Sequence, residues 1–299
     1  MIKKIVKYIK KPSLLYLFLN EKGFFKNVSD EKHLRRLYKI RVGKKLNISN
    51  PQTFNEKLQW LKLYDRKDIY TTMVDKYEVK KYVSDIIGEQ YIIPTLGIYE
   101  RFDDIIFDDL PNQFVIKCTH DSGGVFVVKD KNNIDLKKIK KFINKHLKKN
   151  YYYPCREWPY KNVVPRILVE KYMKSDLNDY KFFCFNGKPK YCLVCSERNI
   201  KLKETFFDLN WNIVPFKRKD YSVDNKIIRP EKLDLMIELA KKLSCNVPFL
   251  RVDFYEIDGV VYFGELTFYP ANGLSRFDPD EWDYKLGQLI ELSDEVEKK

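Results

Sequence analysis

The sequence predicts an α+β fold, with helices packed on antiparallel sheets. From residue 114 onward the expected elements run β, β, α, β, β, β, β, α, β, β, without the regular alternation of a parallel α/β sheet. Two dipeptides, Asn186-Gly187 and Asp258-Gly259, separate alternating apolar runs and signal hairpins. At 299 residues, with 20 Phe and 21 Tyr, the chain can bury one large core or two or three modest ones.

The first element signals are helical. "NPQTFNEKLQWLKLYD" sets Thr53 and Glu56 at capping-box spacing before an apolar stripe of Phe54, Leu58 and Leu61. A second helix is expected over about 72–87, stopped by Gly88. "YIIPTLGIY" reads as a strand broken by Pro94. The acidic "FDDIIFDDLPNQ" then leads into the strand "FVIKCTH" and a hairpin over 114–129. Leu136, Ile139, Phe142, Ile143 and Leu147 mark one face of an amphipathic helix whose lysines fall largely on the other. An aromatic loop, "YYYPCREWPYKN", precedes the strand "RILVEKYM", the pair "DYKFFCFNGKPKYCLVC" and the strand "ETFFDL". A helix at about 231–243, a hairpin over 251–273 and a C-terminal helix complete the chain. These segments group into a basic extension (1–49), a helix-and-strand subdomain (50–110), a small subdomain (111–170) and a larger one (171–299).

Composition narrows the function classes. No run of about 18 apolar residues is present, so no membrane-spanning helix is expected. "SLLYLFL" is short, follows several lysines and lacks a small-residue cleavage site, so it is not read as a signal peptide. Cys192 and Cys195 form a C-x-x-C inside an expected strand. Residues three apart there point to opposite faces, which suits neither zinc nor a redox turn, and core cysteines in a reducing cytoplasm are expected. The net charge of +14 is concentrated in residues 1–49, where 14 Lys and Arg face 3 Asp and Glu. Nucleic acid is not the expected partner, because no binding motif accompanies the charge. The segment suits either an anionic membrane surface or a helix on the domain with its lysines in water.

Three stretches carry the chemistry. In "RVDFYEIDGVVYFGELTFYPANG", Arg251, Asp253 and Glu265 interrupt apolar runs, and a charge buried there needs compensation. A two-residue turn at Asp258-Gly259 would pair Ile257 with Val260 and set Asp253 and Glu265 on opposite faces. An odd loop with Gly259 as a left-handed bulge pairs Glu256 with Val260. It places Arg251 across from Glu265, with Asp253 and Thr267 on the same face. The second register is the one expected. Two carboxylates on one rigid face suit Mg²⁺ shared with phosphates, and Arg251 suits phosphate oxygens. The alternative is a buried ion-pair network that would leave two negative charges against one positive.

The second stretch is "FVIKCTHDSGGVFVV", where Lys117 shares a face with Val115 and Thr119, opposite Phe114, Ile116 and Cys118. A mid-strand lysine followed by a glycine loop suits an ammonium and bare backbone amides closing on phosphates. It is not a P-loop, since G-x-x-x-x-G-K-[ST] does not occur, and in a kinase the glycine loop precedes the lysine. A plain hairpin turn with an exposed lysine is the alternative. The third stretch, "ILVEKYM", suits either adenine read by backbone groups two residues apart or an ordinary edge strand.

Together these stretches resemble the ATP-grasp superfamily, in which two α+β subdomains clamp ATP. "FNEKLQWLK", "DKYEVKKYV", "IPTLGIYE", "LPNQFVIKCTHDSGG", "EKYM" and "DYKFFCFNGKPK", with the late hairpin, most resemble its TupA-like branch, associated with teichuronopeptide and other surface-polysaccharide biosynthesis. The resemblance spans roughly residues 50–292. It implies that Lys117 binds phosphates under a flap of His120, Ser122, Gly123 and Gly124. Lys171 and Met173 would offer backbone to adenine, with Glu170 and Asp179 for its amino group and ribose. Lys181 and Arg251 would be further phosphate contacts, and Asp253 and Glu265 the magnesium ligands. Thr267 stands where the family pattern has Asn, which puts a second magnesium in doubt; Lys76 lies in a shared motif without an assigned role.

The function implied is a cytoplasmic ATP- and Mg²⁺-dependent ligase. It would activate a carboxylate on a cell-surface glycan or its precursor as an acyl phosphate and join it to an amine. The basic N-terminus would hold it at the membrane, with Arg156 and the aromatic loop either touching substrate or serving as structure. Two other classes remain open: a glycosyltransferase, whose D-x-D would be Asp278-Pro279-Asp280, better read as the cap of the last helix, and a non-catalytic nucleotide binder.

Overall fold

The computed structural model describes residues 11–173, 178–197 and 200–293. Two helices open it, α1 (Pro12–Glu21) and α2 (Asp30–Arg41), followed by α3 (Phe54–Tyr64), α4 (Ile69–Val74) and α5 (Glu78–Ile87). Strands β1 (Thr95–Tyr99), β2 (Phe114–Cys118) and β3 (Val125–Val128) precede α6 (Leu136–Leu147) and the short α7 (Tyr152–Cys155). Next come β4 (Ile167–Lys171), β5 (Asp179–Phe185), β6 (Lys188–Ser196), β7 (Lys203–Asp208) and β8 (Lys217–Arg218). The rest comprises α8 (Leu233–Leu243), β9 (Phe249–Ile257), β10 (Val260–Thr267), β11 (Phe277–Asp278) and α9 (Glu281–Gly287).

Two antiparallel sheets carry the architecture, in strand orders β1-β4-β2-β3 and β10-β9-β5-β6-β7, with a two-stranded β11-β8 ladder beside them. Each has its own core. Alternation in β2 sends Phe114, Ile116 and Cys118 against Ile139 and Ile143 of α6, which leaves Val115 and Lys117 for the opposite face. The larger sheet packs Phe182, Val252 and Phe254 with α8 and with Val79 and Val83 of α5. β4 lies inside its sheet rather than at an edge.

Local signals set several boundaries. α3 begins at the expected capping box, with Thr53 accepting from the Glu56 amide and Glu56 accepting from the Thr53 amide. The helix expected over 72–87 is two helices. Asp75 ends α4 in an extended conformation, and its carboxylate accepts from the Tyr77 and Glu78 amides at 2.8 and 3.3 Å, so it caps the start of α5. Gly88, at φ 111°, stops α5. Cys118, Cys184, Cys192 and Cys195 are buried free thiols.

The register of the β9–β10 hairpin corrects the expected one. Asp258 and Gly259 form a two-residue turn, both at positive φ, and Val260 pairs with Ile257. The extra residue sits farther along. Gly264 bulges out between Phe263 and Glu265, and beyond it Glu265 pairs with Asp253 and Thr267 with Arg251. A β-carbon at Gly264 would lie 3.1 Å from the Asp253 carbonyl oxygen, so the bulge favours glycine. The charged residues still share one face, but the bulge puts them there and the turn does not.

Within the basic extension, residues 11–49 fold onto the body. Leu34, Tyr38, Leu46 and Ile48 form a small core against Trp60 and Leu63, and Arg66 reaches Asp30 at 2.8 Å. At the other end of the chain α9 crosses the start of α3, where a β-carbon on Gly287 would lie 2.2 Å from the Gln52 carbonyl oxygen. Gly287→Ala must push these backbones apart. It is expected to cost about 1–3 kcal/mol, read as a lowered midpoint in thermal unfolding.

Candidate active site

Between the two sheets lies a cleft with two adjoining cavities, lined by residues of both. The larger, about 570 Å³, is lined by Lys117, Glu170, Lys171, Met173, Asp179 and Tyr255, among others. The second, about 380 Å³, shares Lys117, Glu170, Asp179 and Tyr255 and extends to Lys76, Lys181, Asp253 and Glu265. Sequence-predicted residues from both sheets are thus brought together.

On the small sheet Glu170 is the organising group. Its two carboxylate oxygens pair with Lys80, at 2.6 Å, and with Lys117. Burial alone would raise this carboxyl, but the two ammonium groups hold it below its ordinary value. Lys80 is completed by the Ile93 carbonyl at 2.7 Å and the Thr95 hydroxyl at 2.9 Å. Glu170 therefore holds two lysines in position. The Lys171 amide donates to the Pro94 carbonyl at 3.1 Å, and Met173 lies past the strand end in the cavity wall.

On the large sheet strand register does the positioning. Lys181 is the direct partner of Asp253 across β5–β9, and its ammonium also lies 3.2 Å from Asp179. Arg251 grips Asp253 with two bonds of 2.7 Å and reaches Glu265 at 2.5 Å. The Thr267 hydroxyl donates to Glu265 at 3.2 Å. Desolvation opposes ionisation of Glu265, yet Arg251, Lys181 and Lys76 outweigh it and pull the carboxyl down to about 2. Glu265 is still 47 % exposed, because the cleft is open above it. Lys181 and Lys76 balance the carboxylates, so the charge deficit inferred from sequence does not exist. The case for a cation rests instead on where the oxygens face.

These are oxygens of the kind Mg²⁺ takes, and a cation would share those of Asp253 with Arg251 and Lys181. Asp253 and Glu265 are register neighbours on a cavity wall, and both offer hard donors with the Thr267 hydroxyl alongside. Among the described residues no cluster of three or more His, Cys, Asp or Glu could hold a metal. A cation here would complete its shell with water or phosphate oxygens.

The β2–β3 turn divides into a buried root and an open tip. His120 and Asp121 are buried, with Asp121 bonded to His146 of α6 through its side chain. Ser122 and Gly123 are exposed, and Gly123, at φ 90°, faces open space. A β-carbon on Gly124 would strike the Asp121 carboxylate at 2.4 Å. Of the four residues expected in a flap, Ser122 and Gly123 form the tip, whereas His120 lies beneath it.

Lys76, without a role in the sequence reading, comes from the break between α4 and α5. Its amide donates to the Thr119 carbonyl at 3.1 Å and its ammonium to the Asp121 carbonyl. It thus ties that break to the glycine turn beside Glu265. Lys80, four residues on, went unnoticed in sequence, although two lysines at that spacing in a shared motif were the available signal.

Arg156 serves structure. It is 1 % exposed, pairs with Asp30 at 2.9 Å and donates to the Phe25 and Val28 carbonyls at 2.7 and 3.0 Å. Asp278 and Asp280 lie on β11 and before α9, outside both cavities. Asp280 stands at the expected N-cap position but makes no side-chain cap bond.

A family model described as TupA-like ATPgrasp matches residues 56–291. No curated protein matches the sequence. Among solved structures, N5-carboxyaminoimidazole synthetase from Staphylococcus aureus is 15 % identical at TM-score 0.41, covering 66 % of this chain and 44 % of its own. D-alanine–D-alanine ligase from Bacillus anthracis is 19 % identical at TM-score 0.41, covering 73 % and 65 %. The Helicobacter pylori enzyme of the same name is 16 % identical at TM-score 0.45, covering 81 % and 70 %. The chain thus spans less than two thirds of the length of the first two, and these loose likenesses add no argument to the family match.

Glu170→Gln removes the shared partner of two lysines. It is expected to cost about 2–3 kcal/mol at neutral pH, below the figure for a fully buried pair because Lys117 is partly in water. Because the folded-state carboxyl titrates below its ordinary value near 4.5, its contribution is present above that pH and fades as pH falls through the lowered value. Unfolding curves for wild type and variant should therefore converge in acid.

Proposed function

The chain belongs to the TupA-like ATP-grasp family, and from that premise we propose that it is an ATP-dependent carboxylate–amine ligase acting on a cell-surface polysaccharide or its precursor. The observation that carries this reading is the convergence of Lys117, Lys181 and Arg251 with Asp253 and Glu265 around one cleft between two sheets. A triphosphate is the ligand class that such a mixture of cations and hard oxygen donors suits.

In this reading adenine occupies the 570 Å³ cavity. The Lys171 amide is committed to the sheet, so the base would use the Lys171 carbonyl and the Met173 amide. Asp179, at the cavity wall, would take the ribose. Lys117, Lys181 and Arg251 exchange part of their carboxylate partners for phosphate oxygens, and Lys76 stands ready to do the same. Asp253 and Glu265 would hold Mg²⁺, which when bound neutralises phosphate charge.

A substrate carboxylate attacks the terminal phosphorus, the bond to the bridging oxygen breaks, and ADP leaves with that electron pair. Lys117 and Arg251 stabilise the charge that develops on the transferred group. The amine then attacks the acyl carbon, and phosphate departs carrying the proton lost from nitrogen. The exposed Ser122-Gly123 tip would close over the phosphates and exclude water until the amine arrives.

Membrane attachment from the cytoplasmic side belongs to the same proposal. No helix among the described residues is long and apolar enough to cross a membrane. Exposed Leu15, Phe18 and Phe24 beside Lys11, Lys22 and Lys26 support a peripheral contact with anionic lipid.

Incubation with ATP, Mg²⁺, sugar acids and amines tests the assignment. ADP release that requires both acid and amine is expected. Asp253→Asn with Glu265→Gln, and separately Lys117→Met, should each lower it by about 10²–10³-fold. Sugar-nucleotide turnover without ATP would identify a glycosyltransferase, and tight nucleotide binding without turnover a binder. Full ATP-dependent turnover in the double variant would overturn the metal assignment.

A further inference from the structure

Asp75, Glu78 and Arg166 form a cluster of charges that lines neither cavity of the cleft and takes no part in the reaction as described. The cluster stands where the two halves of the molecule meet. α4 and α5 belong to the large-sheet core through Met73, Val74, Val79 and Val83. Thr119 and Arg166 instead continue β2 and β4 of the small sheet, one residue beyond the Cys118–Ile167 pair. Arg166 joins the halves. Its Nη2 donates to Asp75 and to Glu78, each at 2.8 Å, and its guanidinium lies 5.0 Å from the centre of the Tyr77 ring. Asp75 is 3 % exposed, and its second oxygen caps α5, so this carboxylate is filled from both sides.

Backbone bonds close a circuit around this pair. The Thr119 amide donates to the Arg166 carbonyl at 3.0 Å, and the Arg166 amide to the Thr119 hydroxyl at 3.3 Å. The Thr119 carbonyl in turn accepts from the Lys76 amide at 3.1 Å. Lys76 is thus fixed on one side by its peptide link to the clamped Asp75 and on the other by the anchored Thr119. Its side chain enters the cleft at one end only. It lines the cavity that holds Asp253 and Glu265 and is absent from the one lined by Lys171 and Met173. Among the described residues its ammonium bonds only the Asp121 carbonyl, which leaves donors for an incoming oxyanion.

We propose, resting on the ligase reading above, that Arg166 is a positioning residue for phosphate binding: by clamping Asp75 and Glu78 it presents the Lys76 ammonium to the terminal phosphates, beside Asp253 and Glu265. The guanidinium itself touches no ligand. A break between two helices opens locally unless something outside the helices holds it, and here the holder is a side chain of the opposite sheet. Loss of the clamp therefore falls on the phosphates and spares the nucleoside, which occupies the other cavity.

Amide hydrogen exchange in the nucleotide-free full chain reads the clamp directly. In Arg166→Met the Lys76 and Thr119 amides are expected to exchange about tenfold faster or more, with the amides of β5 unchanged. Arg166→Lys should restore most of the protection, because a single nitrogen makes both ion pairs. Calorimetric titration reads the consequence. Arg166→Met should weaken binding of the β,γ-imido analogue of Mg·ATP by about tenfold and leave adenosine affinity as it is; in a Lys76→Met background the same change should cost nothing more. Unaltered exchange in Arg166→Met, or an equal loss of analogue affinity with and without Lys76, overturns the proposal. If Arg166→Met does not fold, Asp75→Asn, which keeps an acceptor for the helix cap and removes the ion pair, carries the same expectations. Faster exchange with no binding of the analogue to wild type would instead overturn the nucleotide reading of the cleft and leave Arg166 as the residue that places Lys76.

Discussion

Charge compensation across the cleft is the constraint on which the rest of the structure depends. Glu170 and Asp253 are almost wholly removed from water, and each is shared between two cations: Lys80 and Lys117 for the first, Lys181 and Arg251 for the second. A buried ion repays its desolvation only when its partners are close and correctly aimed. The strands must therefore hold their register, and the break between α4 and α5 must deliver Lys76 and Lys80 to the same place. The arrangement is also poised for exchange. The cations rest on carboxylates in the cleft, and a polyanion entering it would offer them alternative oxygens without a new rearrangement of the backbone.

Much of this was legible in the chain because the controlling forces are local. Thr53 and Glu56 announced α3, and alternation in β2 put Lys117 on the face away from the Phe114–Ile116–Cys118 core. The late hairpin was legible only in outcome. Two glycines, Gly259 and Gly264, could each have absorbed the odd residue. The extra residue falls at Gly264, where a β-carbon would lie 3.1 Å from the Asp253 carbonyl oxygen. No periodicity inside the hairpin contains that information.

Other features depend on distant parts of the chain and left weaker traces. Asp75 looked like one more polar residue in a helix, whereas it caps α5 and pairs with Arg166 at 2.8 Å. Arg156 in the aromatic loop suggested a grip on a substrate carboxylate, but its planar fork was already filled by backbone carbonyls from residues 25–28.

That last arrangement has a bearing on ancestry. Apart from the Tyr153 carbonyl, the guanidinium of Arg156 is completed by carbonyls and an aspartate of the first thirty residues, and Pro154 is held by Asn20 at 2.8 Å. A descendant that shed the leading helices would inherit a stranded cation in its interior. Loss of the extension and replacement of this arginine should therefore have travelled together through the lineage.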